Sequence, residues 1–120
     1  MPADIDALKD QLSEADEIEL TVTGRKSGRP STRPVWFVLE GDQLYLVPVK
    51  GSDTGWYKNV LKNPKIRIEA DDAKAELKAT PTTDAAQVKA IVEKFRKKYG
   101  AEDVKKYYSK FDAALGAQLP

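Results

Sequence analysis

Apolar residues at helical spacing predict four helices along this chain. The clearest stripe is formed by Val88, Ile91, Val92, Phe95 and Tyr99. It predicts a helix over residues 84–99, with Asp84 as its N-cap and Gly100 as its stop. A weaker stripe of the same spacing predicts an amphipathic helix over residues 3–15. Two shorter helices are predicted at residues 54–63 and 101–110.

Alternating or continuously apolar runs predict the strands between these helices. The predicted strands cover residues 17–23, 33–40, 43–49, 65–70 and 74–80. Gly41 and Asp42 form a turn pair, so the second and third strands are predicted to make a hairpin with both faces covered. Asp71 and Asp72 are the predicted turn between the last two strands. A further alternation over residues 113–119 predicts an additional strand at the edge of the sheet.

Hairpin-linked strands flanked by helices predict an α+β fold, an antiparallel β-barrel of five to six strands. The length of 120 residues predicts one domain over residues 1–120. The hairpin over residues 35–49 carries more apolar surface than one small barrel is expected to hide. The sequence therefore predicts a homodimer.

Composition narrows the chemistry that the chain can perform. It contains neither histidine nor cysteine, which excludes a Ser-His-Asp triad, a Cys-His pair and a zinc site of the usual kind. Reactivity is therefore expected to come from a bound cofactor, with acid–base work left to Asp, Glu, Lys or Tyr. The absence of cysteine and of any long apolar run favours a cytoplasmic protein without membrane insertion.

The segment Gly24–Pro34 concentrates positive charge in a protein whose formal net charge is only +1. Its cations are Arg25, Lys26, Arg29 and Arg33. Its glycines permit a backbone whose N–H groups point toward one place, and its hydroxyl side chains add donors. This combination predicts a loop that binds phosphate or carboxylate. A charged turn between two strands is the alternative.

A second candidate segment covers residues 47–59, where Lys50 and Gly51 precede a predicted helix that begins near Trp56. Helix N-termini favour anions, and an indole can stack on a flat ring. The alternative is that Trp56 and Tyr57 only anchor the helix on the barrel. Further along, Tyr107 and Tyr108 are predicted to be half-buried, and a phenol close to a cofactor would be able to contact a substrate.

The two segments together form an ordered motif. It consists of Thr23-Gly24-Arg25-Lys26-Ser27-Gly28-Arg29-Pro30, Pro34, Lys50-Gly51, Trp56-Tyr57, Asn59 and Asn63-Pro64. This motif resembles that of the deazaflavin-dependent nitroreductase family of split β-barrels, which are related to the pyridoxamine-phosphate-oxidase-like flavin-binding barrels. The resemblance covers residues 17–80, and it implies a split β-barrel that binds its cofactor in a groove and pairs as a dimer.

The resemblance also implies roles for particular residues. Arg25 and Lys26 would hold the anionic tail of the deazaflavin coenzyme F(420), within a cofactor-binding loop that includes Ser27 and Gly28. The groove beside the phosphate and the ring system would be lined by Pro34, Lys50, Gly51 and Trp56. FMN is the alternative cofactor, because related barrels use it.

The function predicted in this way is an oxidoreductase that transfers hydride from a reduced deazaflavin or flavin to a small acceptor such as a quinone or nitro compound. The main alternative is a non-catalytic protein that binds or carries FMN or a deazaflavin. A nucleic-acid-binding module using the same arginines is disfavoured by the near-zero net charge.

Overall fold

The computed structural model describes residues 5–70 and 73–119, which form seven strands and four helices. The strands are β1 (Ile18–Thr23), β2 (Pro30–Val35), β3 (Val38–Glu40), β4 (Gln43–Leu46), β5 (Lys65–Ala70), β6 (Ala73–Thr82) and β7 (Ala114–Gln118). The helices are α1 (Ile5–Glu14), α2 (Gly55–Lys62), α3 (Ala85–Tyr99) and α4 (Ala101–Tyr107). The predicted turn at Asp71 and Asp72 lies outside the described residues. No helix within the described ranges is long and apolar enough to span a membrane.

The strands form one antiparallel sheet in the order β2-β1-β5-β6-β7-β4-β3. Its two edge strands, β2 and β3, are consecutive in the chain and are joined only by Trp36 and Phe37. Two residues span about 10 Å at most, so the opposite edges of the sheet must come together at this corner. The sheet is therefore curled into a half-barrel, which confirms the predicted antiparallel barrel and the α+β class. It has seven strands, however, rather than five to six.

The prediction of one strand over residues 33–40 is wrong, because the chain leaves the sheet at the corner. The Trp36 ring stacks on Tyr99, with 4.2 Å between ring centroids. The Phe37 N–H donates to the Tyr99 hydroxyl at 3.1 Å. Trp36 and Phe37 therefore lie in the turn between β2 and β3. In the sequence, their apolar run resembles the middle of a single strand.

The last strand exists, but its predicted place at the edge of the sheet is wrong. β7 pairs with β6 on one side and with β4 on the other. Four of its five residues are buried, as expected for a strand covered on both sides. β7 thus joins the strands β2-β1-β5-β6 to the hairpin β3–β4, and the continuous sheet depends on it.

The hairpin formed by β3 and β4 turns at Gly41 and Asp42, as predicted. One face contributes Leu44 and Leu46 to the barrel core. Val38, with Val47 just after β4, packs instead against α3. Both faces are thus covered within one chain, by the barrel core and by α3, although Val49 at the end of the predicted segment is 43% exposed.

Helix α3 matches its prediction closely. Four residues of the predicted stripe are buried, namely Val88, Ile91, Val92 and Phe95. The Asp84 carboxylate accepts a hydrogen bond from the Gln87 N–H at 3.0 Å, which confirms the N-cap. Gly100 ends the helix at a φ of 94°, and the last helix stops at Tyr107 rather than at residue 110.

Candidate functional site

The basic loop is shorter than the predicted segment Gly24–Pro34, because the chain from Pro30 onward pairs with β1 as an edge strand. The remaining turn closes on itself. The Gly24 N–H donates to the Arg29 carbonyl at 2.8 Å, and the Gly28 N–H donates to the Gly24 carbonyl at 2.9 Å. The N–H groups of Gly24 and Gly28 are therefore used within the loop and are not available to an anion.

The loop presents its side chains to solvent. Arg25, Lys26, Ser27 and Arg29 are exposed. The Ser27 Oγ accepts from the Arg29 N–H at 3.1 Å, which leaves the hydroxyl hydrogen of Ser27 able to donate. Gly28 has a φ of 69°, a conformation that glycine adopts without strain.

Arg25 connects the loop to α2. Its backbone N–H donates to the side-chain oxygen of Asn59 at 3.1 Å, and its Nη1 donates to the same oxygen at 2.7 Å. Nη1 also lies 3.4 Å from the carbonyl oxygen of Gly55, in the first turn of the helix. The two glycine-containing segments that the sequence singled out are therefore in direct contact.

The second segment forms a tight turn before α2. The Lys50 N–H donates to the Thr54 Oγ1 at 2.7 Å, and residues Gly51–Asp53 form one 3-10 turn. Gly51 has a φ of 57°, and a Cβ at this position would overlap the Asp112 carboxylate. Only glycine leaves room for this carboxylate, so Gly51 shapes the turn.

Asp112 fixes this turn from the other end of the chain. Its Oδ1 accepts from the Ser52 N–H at 2.8 Å, and its Oδ2 accepts from the Ser52 hydroxyl at 2.6 Å. These hydrogen bonds from Ser52, helped by the nearby Lys110, hold the pKa of the Asp112 carboxyl below its usual range. The carboxylate therefore stays ionised at neutral pH and keeps the Lys50 turn in place.

A cleft of about 600 Å³ opens between these segments and the corner of the barrel, a volume typical of small-molecule sites. Three predicted site residues line it: Pro34, Lys50 and Trp56. Gly51 adjoins the lining through Lys50. The loop residues Arg25, Lys26, Ser27 and Gly28 lie outside the lining, although Arg25 reaches Gly55, which belongs to it.

Trp56 is only 3% exposed. Its ring packs into the barrel core and meets Tyr57 edge-on, with 6.4 Å between centroids. Anchoring of α2, the alternative considered for Trp56 and Tyr57, is therefore part of what Trp56 does. Contact between Trp56 and a cofactor stays a prediction. Only a small part of the Trp56 side chain is exposed at the cleft.

Sequence reasoning missed Trp36 as a residue of the cleft. Its ring forms one wall together with two tyrosines that follow α3 in the chain. Tyr107 meets it edge-on at 5.2 Å and Tyr108 lies at 5.9 Å, measured between ring centroids. The prediction of half-burial is wrong for Tyr108, which is 5% exposed, whereas Tyr107 is 53% exposed.

Tyr108 brings a phenol to the lining of the cleft. No described residue hydrogen-bonds its hydroxyl. Every fully buried side-chain nitrogen or oxygen among the described residues has a hydrogen-bond partner. The Tyr108 hydroxyl has none, so it is not fully buried. Burial of the ring raises the pKa of Tyr108, and the phenol therefore stays protonated and able to donate a hydrogen bond.

Charges are distributed unevenly around the cleft. Arg33 and Lys50 line it together with two acids, Glu17 and Asp53. Asp53 is drawn toward Lys110, whose Nζ lies 3.3 Å from its carboxylate. A flat ligand with an anionic tail fits this arrangement, since the cleft has aromatic walls and the exposed cations of the basic loop adjoin it. The fold and the cleft thus define a split barrel with an aromatic-walled cleft of small-molecule size.

Comparison with known proteins identifies the family. The profile of the F420H(2)-dependent quinone reductase family matches residues 5–119, so the chain belongs to that family. This confirms the resemblance found from the motif. An F420H(2)-dependent quinone reductase of Mycobacterium tuberculosis (strain H37Rv) is 32% identical over 65 residues, which are 52% of this chain and 44% of that protein. The chain thus spans less than half the length of this curated relative.

Solved structures share the fold at low sequence identity. An F420-H2 dependent reductase, FDR-A, superposes with a TM-score of 0.67 at 20% identity, covering 86% of this chain and 94% of the other. The haem storage protein HutZ from Vibrio cholerae superposes with a TM-score of 0.70 at 16% identity, covering 100% and 91%. Barrels of one shape thus serve different cofactors, and function has to be argued from the site.

Proposed function

We propose that this chain binds reduced coenzyme F(420) and promotes hydride transfer to a quinone. The observation that carries the proposal is the contact between Arg25 and the first turn of α2, which holds the basic loop beside an aromatic-walled cleft. Membership of the F420H(2)-dependent quinone reductase family supports the same cofactor and acceptor. A nitro compound is the alternative acceptor.

The residues present suit such a cofactor. Lys26 and Arg29 are exposed on the loop, and Lys50 stands at the cleft. They offer the charge-assisted hydrogen bonds that a phosphate-bearing tail needs. Trp36 and Trp56 line the apolar part of the cleft, where a ring system can be shielded from water.

The bound deazaflavin supplies the hydride, and the protein supplies position and a proton donor. A quinone that accepts a hydride also acquires negative charge on an oxygen. Tyr108 lines the cleft and its hydroxyl is protonated, so in this proposal it donates a hydrogen bond to that oxygen. In this proposal Tyr107, at the exposed rim, shields the acceptor from solvent.

Titration followed by a turnover assay tests the proposal. We expect the protein to bind coenzyme F(420) more tightly than FMN, measured through ligand fluorescence. Mixing protein, reduced coenzyme and a soluble quinone should then regenerate the absorbance of the oxidised deazaflavin. The regeneration should be faster than in the same mixture without protein.

Other outcomes decide between the alternatives. Tight binding without protein-dependent oxidation of the reduced cofactor would support a carrier of deazaflavin or FMN. Binding of FMN alone would overturn the choice of cofactor. If neither compound binds, the cleft does not serve as a flavin or deazaflavin site.

The homodimer, the cytoplasmic location and the absence of a nucleic-acid partner stay predictions from the sequence. Sedimentation at micromolar concentration checks the first of these. We expect about twice the mass of one chain, whose value is 13.3 kDa. A single species of monomer mass over the whole range would contradict the dimer.

A further inference from the structure

We propose that Asn59 is a positioning residue of the cofactor site, which locks the basic loop onto α2 so that the cations of the loop meet the anionic tail. The inference rests on the proposed function. It adds a residue that acts through Arg25.

The side-chain oxygen of Asn59 is fully engaged by the loop. It accepts from the Arg25 N–H at 3.1 Å and from the Arg25 Nη1 at 2.7 Å. An amide oxygen has two lone pairs, and these two donors use both of them. One atom on α2 therefore fixes both the backbone and the side chain of Arg25.

The internal hydrogen bonds make the loop one closed unit, so its orientation depends on what it contacts outside itself. The bonds from Gly24 to Arg29 and from Gly28 to Gly24 close the loop internally. Its other attachments are the strands β1 and β2, which enter and leave it at the same side. The bonds to Asn59 join it to a helix 34 positions further along the chain. Asn59 thus sets where the loop stands relative to the cleft.

Asn59 also determines which part of Arg25 is available for a ligand. Nη1 points at Asn59 and at the Gly55 carbonyl, while guanidinium has further donors at Nε and Nη2. Held in this way, Arg25 presents its remaining N–H groups next to the first turn of α2. The Lys50 turn reaches the same turn of the helix through Thr54.

A purely structural role for Asn59 can be distinguished from a positioning role by comparing a ligand that has the anionic tail with one that lacks it. We would measure dissociation constants for coenzyme F(420) and for the deazaflavin ring system lacking the phosphate-bearing tail. Asn59→Ala should weaken binding of the full cofactor about tenfold and leave binding of the tail-free ring unchanged. General damage to α2 would weaken both ligands alike.

Asn63→Ala is the matched control. Asn63 ends the same helix, and its side-chain oxygen accepts from the Lys65 N–H at 3.4 Å rather than from the loop. This variant should bind both ligands like the wild type. Asn59→Asp keeps an oxygen that can accept both bonds from Arg25. At high salt, which screens the added charge, it should recover the affinity for the full cofactor that Asn59→Ala loses.

The results have distinct consequences. Equal weakening of both ligands by Asn59→Ala, or no weakening of either, overturns the positioning role while the proposed function stands. If Asn59→Ala does not fold, the Asn59→Asp variant tests the proposal instead. A loss of affinity for the full cofactor in Asn59→Asp at high salt, with binding of the tail-free ring unchanged, would contradict the proposal. A wild-type protein that binds neither ligand would remove the proposed function itself.

Discussion

Replacing Trp56 with alanine should lower the free energy of unfolding by about 3–5 kcal/mol. The indole is 3% exposed and packs into the barrel core beside Tyr57, so truncation would leave a large cavity at the base of the cleft. Denaturant unfolding, with the slope compared between variants, measures the effect. A loss of this size is a large share of the stability of a typical small domain.

Leu61→Ala provides the control on the same helix. Leu61 is 56% exposed, and its truncation should change stability by less than about 0.5 kcal/mol. A Trp56→Ala variant as stable as Leu61→Ala would show that the indole is not needed for packing. Trp56→Phe keeps an apolar ring in the core, and it should weaken cofactor binding with little dependence on salt if the indole contacts the deazaflavin.

Arg25→Ala should weaken binding of coenzyme F(420) by about ten- to hundredfold at low salt. The side chain is exposed beside the cleft and supplies a cation to the predicted tail site. High salt should reduce the difference from the wild type, because screening weakens interactions between exposed charges. Dissociation constants for both proteins at low and high salt measure the effect.

Lys62→Ala tests whether any cation near α2 would matter. Lys62 is exposed in the last turn of this helix, three residues beyond Asn59. The Lys62→Ala variant should bind coenzyme F(420) with the same affinity and the same salt dependence as the wild type. If Arg25→Ala binds the cofactor like Lys62→Ala at both salt concentrations, the loop is only a turn between two strands, as the alternative interpretation held.

Local patterns predicted the elements well wherever one periodicity applied without interruption. The stripe of α3 and the caps at Asp84 and Gly100 depend on residues within the helix and its ends, so sequence was sufficient. The corner at Trp36 and Phe37 was missed because its apolar residues pack on Tyr99, far along the chain. The central position of β7 was missed for the same reason, since strand order is set by long-range pairing.

The site shows the same division between local and distant information. The motif was enough to bring the basic loop and α2 together, because both carry distinctive residues in a fixed order. The tyrosines beside Trp36 carry no such signal, and only the fold places them at the cleft. Similarly, nothing near Gly51 in the sequence indicates that Asp112 occupies the space where a side chain would be.

The edge strand β2 has a consequence for how this protein avoids unwanted association. Pro30, Thr32 and Pro34 alternate along it, opposite Thr23, Thr21 and Glu19 of β1. The hydroxyls of Thr21 and Thr32 approach to 2.7 Å, as the close pairs without backbone hydrogen bonds do in antiparallel sheets. Residues in such pairs direct their backbone groups away from β1. Because proline has no N–H, Thr32 alone of these three can donate outward. At these three positions a stray strand would find carbonyl acceptors but only one N–H donor, so this edge pairs poorly and is protected against growth into aggregates.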